Sequence, residues 1–391
     1  MRKTIICGCD LHDRFLLIKY AVDLEQPMMM NRLANAEGRQ KMITDLKKFA
    51  KQAGATRIVF AYEASGAGFG LFDQLTEAGI ECYVIAPSRV AKSSKDKKNK
   101  TDEKDAQKLL ELLRGYVLAG NPLPTVWIPP AQVRDDRDLL RMRISTKEDH
   151  NRIKLQILSL LKRNKVVLVE YFQENRNWSK RFVAWLESTV AGNLFAGAAA
   201  VLRVYLRRLQ ELHEELLTLN RAVADLAVTT RYQDAYTKLR ELPGVGQLTA
   251  MLFLTELGDL TRFSNRRQVA AFLGLCPSSH ESGETNNRKG HITRQGPSWL
   301  RKVLCQAAWT AVRCDDATRA RWERIRGGRS TRGKKAIVAV MRQLAIQMWH
   351  VALSVGVDKD LMGPLPADSP SLGLDKRESP PSTFAVASTS S

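Results

Sequence analysis

The sequence predicts an α/β N-terminal domain, then a long-helix coiled-coil region, then a mainly α-helical C-terminal domain with a helix-hairpin-helix-like turn. Three observations lead there. Short β-branched runs alternate with helical patterns over residues 1–130. Apolar residues recur at alternating steps of three and four from Leu202 to Leu226. The segment ELPGVG, Glu241–Gly246, then precedes the apolar stretch Leu248–Leu257.

The elements follow in order. The start, MRKTIICGCD, is basic but returns to polar residues too soon for a signal peptide, so Thr4–Cys9 reads as a first strand ending at Asp10. Arg57–Tyr62 reads as a second strand ending at Glu63, and Glu81–Ala86 as a third, stopped by Pro87. Between them an amphipathic helix is expected around Phe69–Ala78, closed by Gly79. Asn121–Pro130, with four prolines, reads as a linker. The seam Leu202, Tyr205, Leu209, Leu212, Leu216, Leu219, Val223, Leu226 fits either a coiled coil between chains or an internal hairpin with a helix near Leu139–Leu161. The glycines of ELPGVG suit a helix start whose backbone N–H groups meet a phosphate, and an ordinary helix turn fits the same residues. Beyond Asp360 the chain turns Ser/Pro-rich without apolar periodicity, so disorder is expected. The expected division is 1–130, 131–230, 231–355 and a tail, 356–391.

Charge narrows the function classes. The 391 residues carry 61 Lys+Arg against 41 Asp+Glu, a net +20, which favours a polyanionic partner. The surplus is local: residues 286–342 hold 15 Lys/Arg and 3 acids, and residues 89–104 hold 7 and 3. Ordinary solvated faces intersperse both signs, so a nucleic-acid surface is the better reading. No apolar run reaches the roughly 18 residues of a membrane span, and no membrane partner is expected. The 6 cysteines show no CxxC pair and no zinc spacing, which fits a reducing, cytoplasmic setting.

Four acids in the first domain stand out. Asp10 and Glu63 each follow a strand, where an α/β sheet presents side chains at its edge. Asp102 and Asp105, three apart in TDEKDAQKLLELL, face one side of a predicted helix start. Each alone has an ordinary reading: Asp10 as the end of a strand, and Asp102 as an acid that answers the helix dipole behind an N-capping Thr101. The basic loop Lys92–Lys100 beside the last pair would offset their repulsion and hold a phosphate backbone.

Together the order strand-Asp, strand-Glu, helix-Asp-x-x-Asp resembles the RuvC-like branch of the RNase H fold. A second constellation lies in Phe272–Trp309: Gly274-Leu275-Cys276-Pro277, Ser282-Gly283, Gly290-His291-Ile292-Thr293-Arg294-Gln295-Gly296 and Leu300-Arg301-Lys302-Val303-Leu304. With the acids, these motifs resemble the insertion-sequence transposases that pair a DEDD RuvC-like domain with a serine-bearing domain, relatives of the Piv-type invertases. The resemblance covers about residues 4–350.

What the resemblance implies is specific. Asp10, Glu63, Asp102 and Asp105 would hold Mg²⁺, two ions per site, with Mn²⁺ as a substitute. Ser282 would attack a DNA phosphate to form a covalent phosphoserine link, activated by a metal site in the same or a partner subunit. Ser278 and Ser279 are neighbouring alternatives, so that assignment rests on the glycine after Ser282. His280 and His291 fit proton transfer or plain solvation. DNA element ends and target would be the substrates, a structured noncoding bridge RNA the guide, and a dimer or tetramer through the coiled coil the assembly. The chain departs from the family pattern at Leu11-His12-Asp13, where a small residue and Lys are usual, and at Pro297, where Asn is common. Rival readings are a site-specific invertase, a junction endonuclease that needs the acids alone, and a catalytically dead nucleic-acid-binding protein.

Overall fold

A computed structural model describes residues 3–87, 89–90, 101–174, 178–280 and 288–356. The chain divides into two compact units, Met1–Ile128 and Pro129–Ser391.

The first unit is a five-stranded sheet in the order β3-β2-β1-β4-β5. Strands β1 (Thr4–Leu11), β2 (Phe15–Val22) and β3 (Met28–Leu33) form an antiparallel meander, and β4 (Arg57–Glu63) and β5 (Glu81–Ile85) add parallel to β1. The helices are α1 (Ala36–Ala53), α2 (Gly70–Glu77) and α3 (Asp102–Ala119). Strand alternation sorts the sheet into two faces. Ile5, Cys7 and Cys9 pack with Met42 and Leu46 of α1 and Leu71 and Leu75 of α2. Ile6, Val59, Ala61, Tyr83 and Ile85 pack with Leu109, Leu110 and Leu113 of α3. Topology and layering are those of an RNase H-like fold.

Strands β2 and β3 and helix α1 are additions to the elements read from sequence. Asn121–Pro130 is not a free linker: Val126 N–H donates to Val84 O at 2.9 Å and Ala86 N–H to Pro124 O at 2.8 Å. Its four prolines suit an edge that needs few donors.

The second unit is helical: α4 (Ala131–Arg163), α5 (Glu170–Glu174), α6 (Lys180–Trp185), α7 (Ala191–Asn193), α8 (Ala196–Ala227), α9 (Gln233–Arg240), α10 (Gln247–Leu257), α11 (Arg266–Phe272), the hairpin β6 (Pro277–His280) and β7 (Arg288–Ile292), then α12 (Ser298–Cys314), α13 (Asp316–Arg326) and α14 (Gly333–Ser354). One π-helical turn, Leu186–Val190, joins α6 to α7.

Long helices α4 and α8 lie against each other in opposite directions, with Arg143 donating to Asn220 and His150 beside His213. The predicted seam is split by this packing: Leu202, Leu209, Leu216 and Val223 are buried, while Tyr205, Leu212, Leu219 and Leu226 are half-buried. Within this chain, then, the seam forms the internal hairpin. Its two ends enter separate cores. Ile153, Ile157 and Leu161 join Leu202 and Leu206 with Phe182, while Val133, Leu140, Val223 and Ala227 join the main core of α9, α10, α12 and α14.

The ELPGVG turn links α9 to α10. Gly244 has a φ of +79°, and a Cβ there would sit 2.2 Å from Ala307 O of α12. Its missing side chain therefore serves the close packing of the turn on α12. Helix α14 lies in the only described segment, Ser330–Ser354, that is long and apolar enough to cross a membrane, and half of its apolar window is buried. The apolar residues answer to the core: Ile337, Val340, Leu344 and Met348 pack there.

Candidate active site

Strand β1 presents Gly8 and Asp10 along one side, since alternate residues share a face, and His12 follows in the turn just past its end. The hairpin from β1 to β2 closes tightly, with His12 N–H donating to Phe15 O at 3.0 Å, and the His12 ring lies 4.7 Å from that of Phe15. Gly8 sets how near α3 can come. A Cβ at Gly8 would lie 2.3 Å from Leu110 N and 2.4 Å from Ala106 O, so the helix backbone passes directly over the strand. Further along α3, buried Arg114 donates to Asp23 O at 2.9 Å and Glu25 O at 2.6 Å. With α3 pinned at these two points, its first turn faces the end of β1.

That first turn carries Asp102, Glu103 and Asp105 behind Thr101, whose side chain caps Lys104 N–H. The helix dipole favours acids there, so the capping explanation of Asp102 holds alongside a functional one. His12 Nε2 stands 3.1 Å from Asp10 Oδ2 and 3.4 Å from Asp102 Oδ1. Asp10, His12 and Asp102 each offer a ligand atom within 4.8 Å of the others, and all three are half-buried. Burial raises the Asp10 carboxyl above its ordinary range, His12 opposes the rise, and the Asp102 and Asp105 charges add to it. Crowded carboxylates with an elevated proton affinity are what a divalent cation would relieve, so the residues fit such a metal.

The sequence-chosen acids are thus brought together unequally. Asp10 and Asp102 converge, and Asp105 lies near enough to influence Asp10 while also standing 3.8 Å from Lys108. Glu63 ends β4 one residue beyond Tyr62, the register partner of Cys9, on the face shared with Asp10. It is outside the three-residue ligand group. Sequence reasoning passed over His12 and Gly8. The period-two rule applied from Asp10 finds Gly8, whereas His12 stands in the turn past the strand end, where that rule stops.

The second constellation converges at the base of the β6–β7 hairpin. A Cβ at Gly274 would lie 2.1 Å from Gln295 O, and one at Gly296 would lie 1.9 Å from Phe272 O, with φ of +65° and +78°. Thr293 N–H donates to Cys276 O at 2.8 Å. Arg301 Nη1 reaches Leu273 O, Gln295 O and Gly296 O at 3.3, 2.8 and 3.0 Å. The motif glycines and the arginine of LRKVL therefore clamp the two ends of the hairpin together. Trp299 and Arg141 both donate to buried Glu256, fixing the start of α12. Ser278 is committed across the hairpin, its hydroxyl donating to His291 O at 3.0 Å. Ser282 lies outside the described residues, as do the loop Lys92–Lys100 and residues 357–391.

Basic side chains cluster beyond the hairpin. Helix α13 buries none of its residues and ends in Arg324 and Arg326. Trp309, 38% exposed, meets Trp322 edge-on at 5.6 Å, and the Arg326 guanidinium lies 4.6 Å from the Trp322 ring.

An RNase H-like sheet with converging carboxylates suited to a divalent cation, followed by a helical unit rich in arginine, fits the class of DNA-acting enzymes. Residues 236–323 match the transposase family IS116/IS110/IS902, and residues 7–165 match a transposase family of the DEDD, IS110 type. A putative transposase, y4qE, of Sinorhizobium fredii is 31% identical over 324 residues, covering 75% of each chain. The transposase of insertion sequence element IS1533 of Leptospira borgpetersenii is 25% identical over 312 residues, covering 79% of this chain and 86% of that one. The transposase of element IS1111A of Coxiella burnetii is 28% identical over 255 residues, 64% of this chain and 65% of its own. The chain belongs to the IS110/IS116 family of transposases, and its activity is that of a DNA transposase.

Proposed function

We propose that Asp10, Glu63, Asp102 and Asp105 form the DNA-cleaving centre with Mg²⁺, and that Ser282 is the nucleophile of strand transfer. The observation that carries the first part is the meeting of Asp10 and Asp102 beside Asp105 at the end of β1. Bound there, divalent ions supply charge stabilisation to the attacking and leaving oxygens of a phosphodiester. Asp10 and Asp102 hold the cation, Gly8 permits the approach that brings them together, and Asp105 adds negative charge beside them.

Ser282 follows from the family motif, and the clamp that Gly274, Gly296 and Arg301 make at the base of the β6–β7 hairpin supports a fixed frame for that motif. In the proposed step, Ser282 Oγ bonds to a DNA phosphorus as one strand P–O bond breaks. The serine proton is given up, and the departing strand end takes up a proton as a free hydroxyl. Rejoining reverses these changes on a second strand end. The basic helices α12 and α13 and the start of α14 hold the DNA backbone. A structured noncoding RNA supplies the sequence reading, and a dimer or tetramer provides the partner subunits. Both of these rest on family membership.

Incubation with Mg²⁺ and labelled element-end DNA should give a denaturant-resistant protein–DNA adduct that Ser282→Ala abolishes. An adduct that persists in Ser282→Ala, or none in wild type, overturns the serine mechanism. Asp10→Ala should remove cleavage while sparing DNA binding, and full cleavage in that variant overturns the metal centre. Sequencing RNA bound in the native host should return an element-derived species. Its absence favours protein-read sites.

A further inference from the structure

We propose that His12 is itself a metal ligand, so that the first cation of this site is held by a carboxylate–imidazole–carboxylate face, Asp10, His12 and Asp102. This rests on the reading of that cluster as the metal centre and changes what the centre selects.

Four observations carry it. His12 lies two residues beyond Asp10, in the tight turn just past the end of β1, and its ring turns back towards the Asp10 carboxylate. The backbone N–H of His12 is spent in closing the hairpin, and its ring is steadied against Phe15, which fixes the imidazole at the strand end. Its Nε2 atom, rather than its edge or Nδ1, is the one turned to both acids, at 3.1 and 3.4 Å. Finally, neighbouring ligands on a six-coordinate ion with bonds of about 2.1 Å stand about 3.0 Å apart, close to these separations. Without metal the same edge is closed by a hydrogen bond between His12 and Asp10. A proton and a cation would thus occupy the same place in turn.

A mixed nitrogen and oxygen face has a chemical consequence. Imidazole binds later first-row ions better than it binds Mg²⁺, which prefers carboxylate and water. This transposase is therefore biased towards Mn²⁺, and His12→Asp, which restores an all-oxygen face, shifts it back towards Mg²⁺.

The test uses the full chain with Mn²⁺ alone, read by pulsed electron paramagnetic resonance and by competition with Mg²⁺. Wild type should show nitrogen-14 modulation from a directly bound imidazole, absent in His12→Ala and in Asp10→Asn. The ratio of Mn²⁺ to Mg²⁺ affinity should fall about tenfold in His12→Asp. If Mn²⁺ binds, and Asp10→Asn removes it, but wild type shows no nitrogen modulation and His12→Asp leaves the ratio unchanged, His12 is only a hydrogen-bond partner. The proposal then fails while the carboxylate centre stands. If wild type binds no Mn²⁺, both readings fail together.

Discussion

The acidic cluster of the sheet unit and the clamped hairpin of the helical unit each bring distant parts of the chain together, by opposite means. At the first, side chains converge: Asp10 from a strand, His12 from the turn after it and Asp102 from a helix start meet within a few ångströms. At the second, backbone converges: Gly274 and Gly296 let chain segments touch, and one guanidinium, Arg301, gathers three carbonyls. The first concentrates negative charge, whereas the second is followed in the chain by helices with a large cationic surplus. The difference teaches where precision comes from. A carboxylate centre inherits it from regular elements, whose periodicity aims the side chains. A hairpin between helices has no such frame and must be tied at its base.

The sharpest way to break this comparison is to add one methyl group on each side of it. Gly8→Ala should force α3 off β1, because helix backbone cannot yield as a flexible side chain would. A loss of about 2–3 kcal/mol is expected, with no remaining stabilisation by Mn²⁺, measured by thermal unfolding with and without the ion. Gly296→Ala should cost at least as much, since it adds a left-handed φ of +78° to a 1.9 Å clash. Hydrogen exchange should show its effect in residues 272–296 and leave Mn²⁺ binding intact. If Gly8→Ala keeps wild-type Mn²⁺ stabilisation, close helix approach is not what assembles the acids.

The same contrast explains what was legible in the sequence. Asp10, Glu63, Asp102 and Asp105 could be picked out because strand ends and an i, i+3 spacing are patterns of side chains. The β2–β3 meander escaped because FLLIKYAV is nearly continuous in apolar residues and MMMNRL has weak strand character. His12 escaped because it stands in a turn past the end of β1, where no side-chain periodicity points back to Asp10. The seam on α8 was visible, but a heptad pattern does not say whether its partner is another chain or α4 of this one. The roles of Gly274, Gly296 and Arg301 were reachable only by resemblance. Their contacts are with carbonyl oxygens, and a carbonyl leaves no mark in the sequence that would reveal its partner.

A subtler test separates the cost of holding acids together from the use made of it. Asp10 titrates above its ordinary value in the folded state, so folding there favours the protonated form. The stability this group contributes is full below its unfolded pKa and is lost as pH rises through the raised folded value. At neutral pH and without metal, ionised Asp10 is therefore a liability. Asp10→Asn should melt higher than wild type at pH 7, with the advantage shrinking as the pH is lowered into the carboxylate range. Wild type should gain about 2.7 kcal/mol from Mn²⁺ at a hundred times its Kd, and the variant nothing. Equal melting of the two metal-free proteins at pH 7 would mean that the cluster stores no repulsion.

The smallest expected effect lies on the basic side, at Arg294, which holds a φ of +55° immediately before the clamp. A left-handed conformation costs a residue with a side chain about 1–2 kcal/mol. Glycine would remove that cost but lose more freedom on folding, leaving Arg294→Gly more stable by about 0.5 kcal/mol. Its DNA affinity should nevertheless fall, with the salt dependence shallower by about one charge if the guanidinium meets a phosphate. Those two signs together would mean that strain is kept at this position to aim a cation at DNA. A variant both less stable and unchanged in salt dependence would instead make Arg294 a structural residue of the hairpin base, and the helical unit would then resemble the sheet unit in relying on a side chain to hold its site.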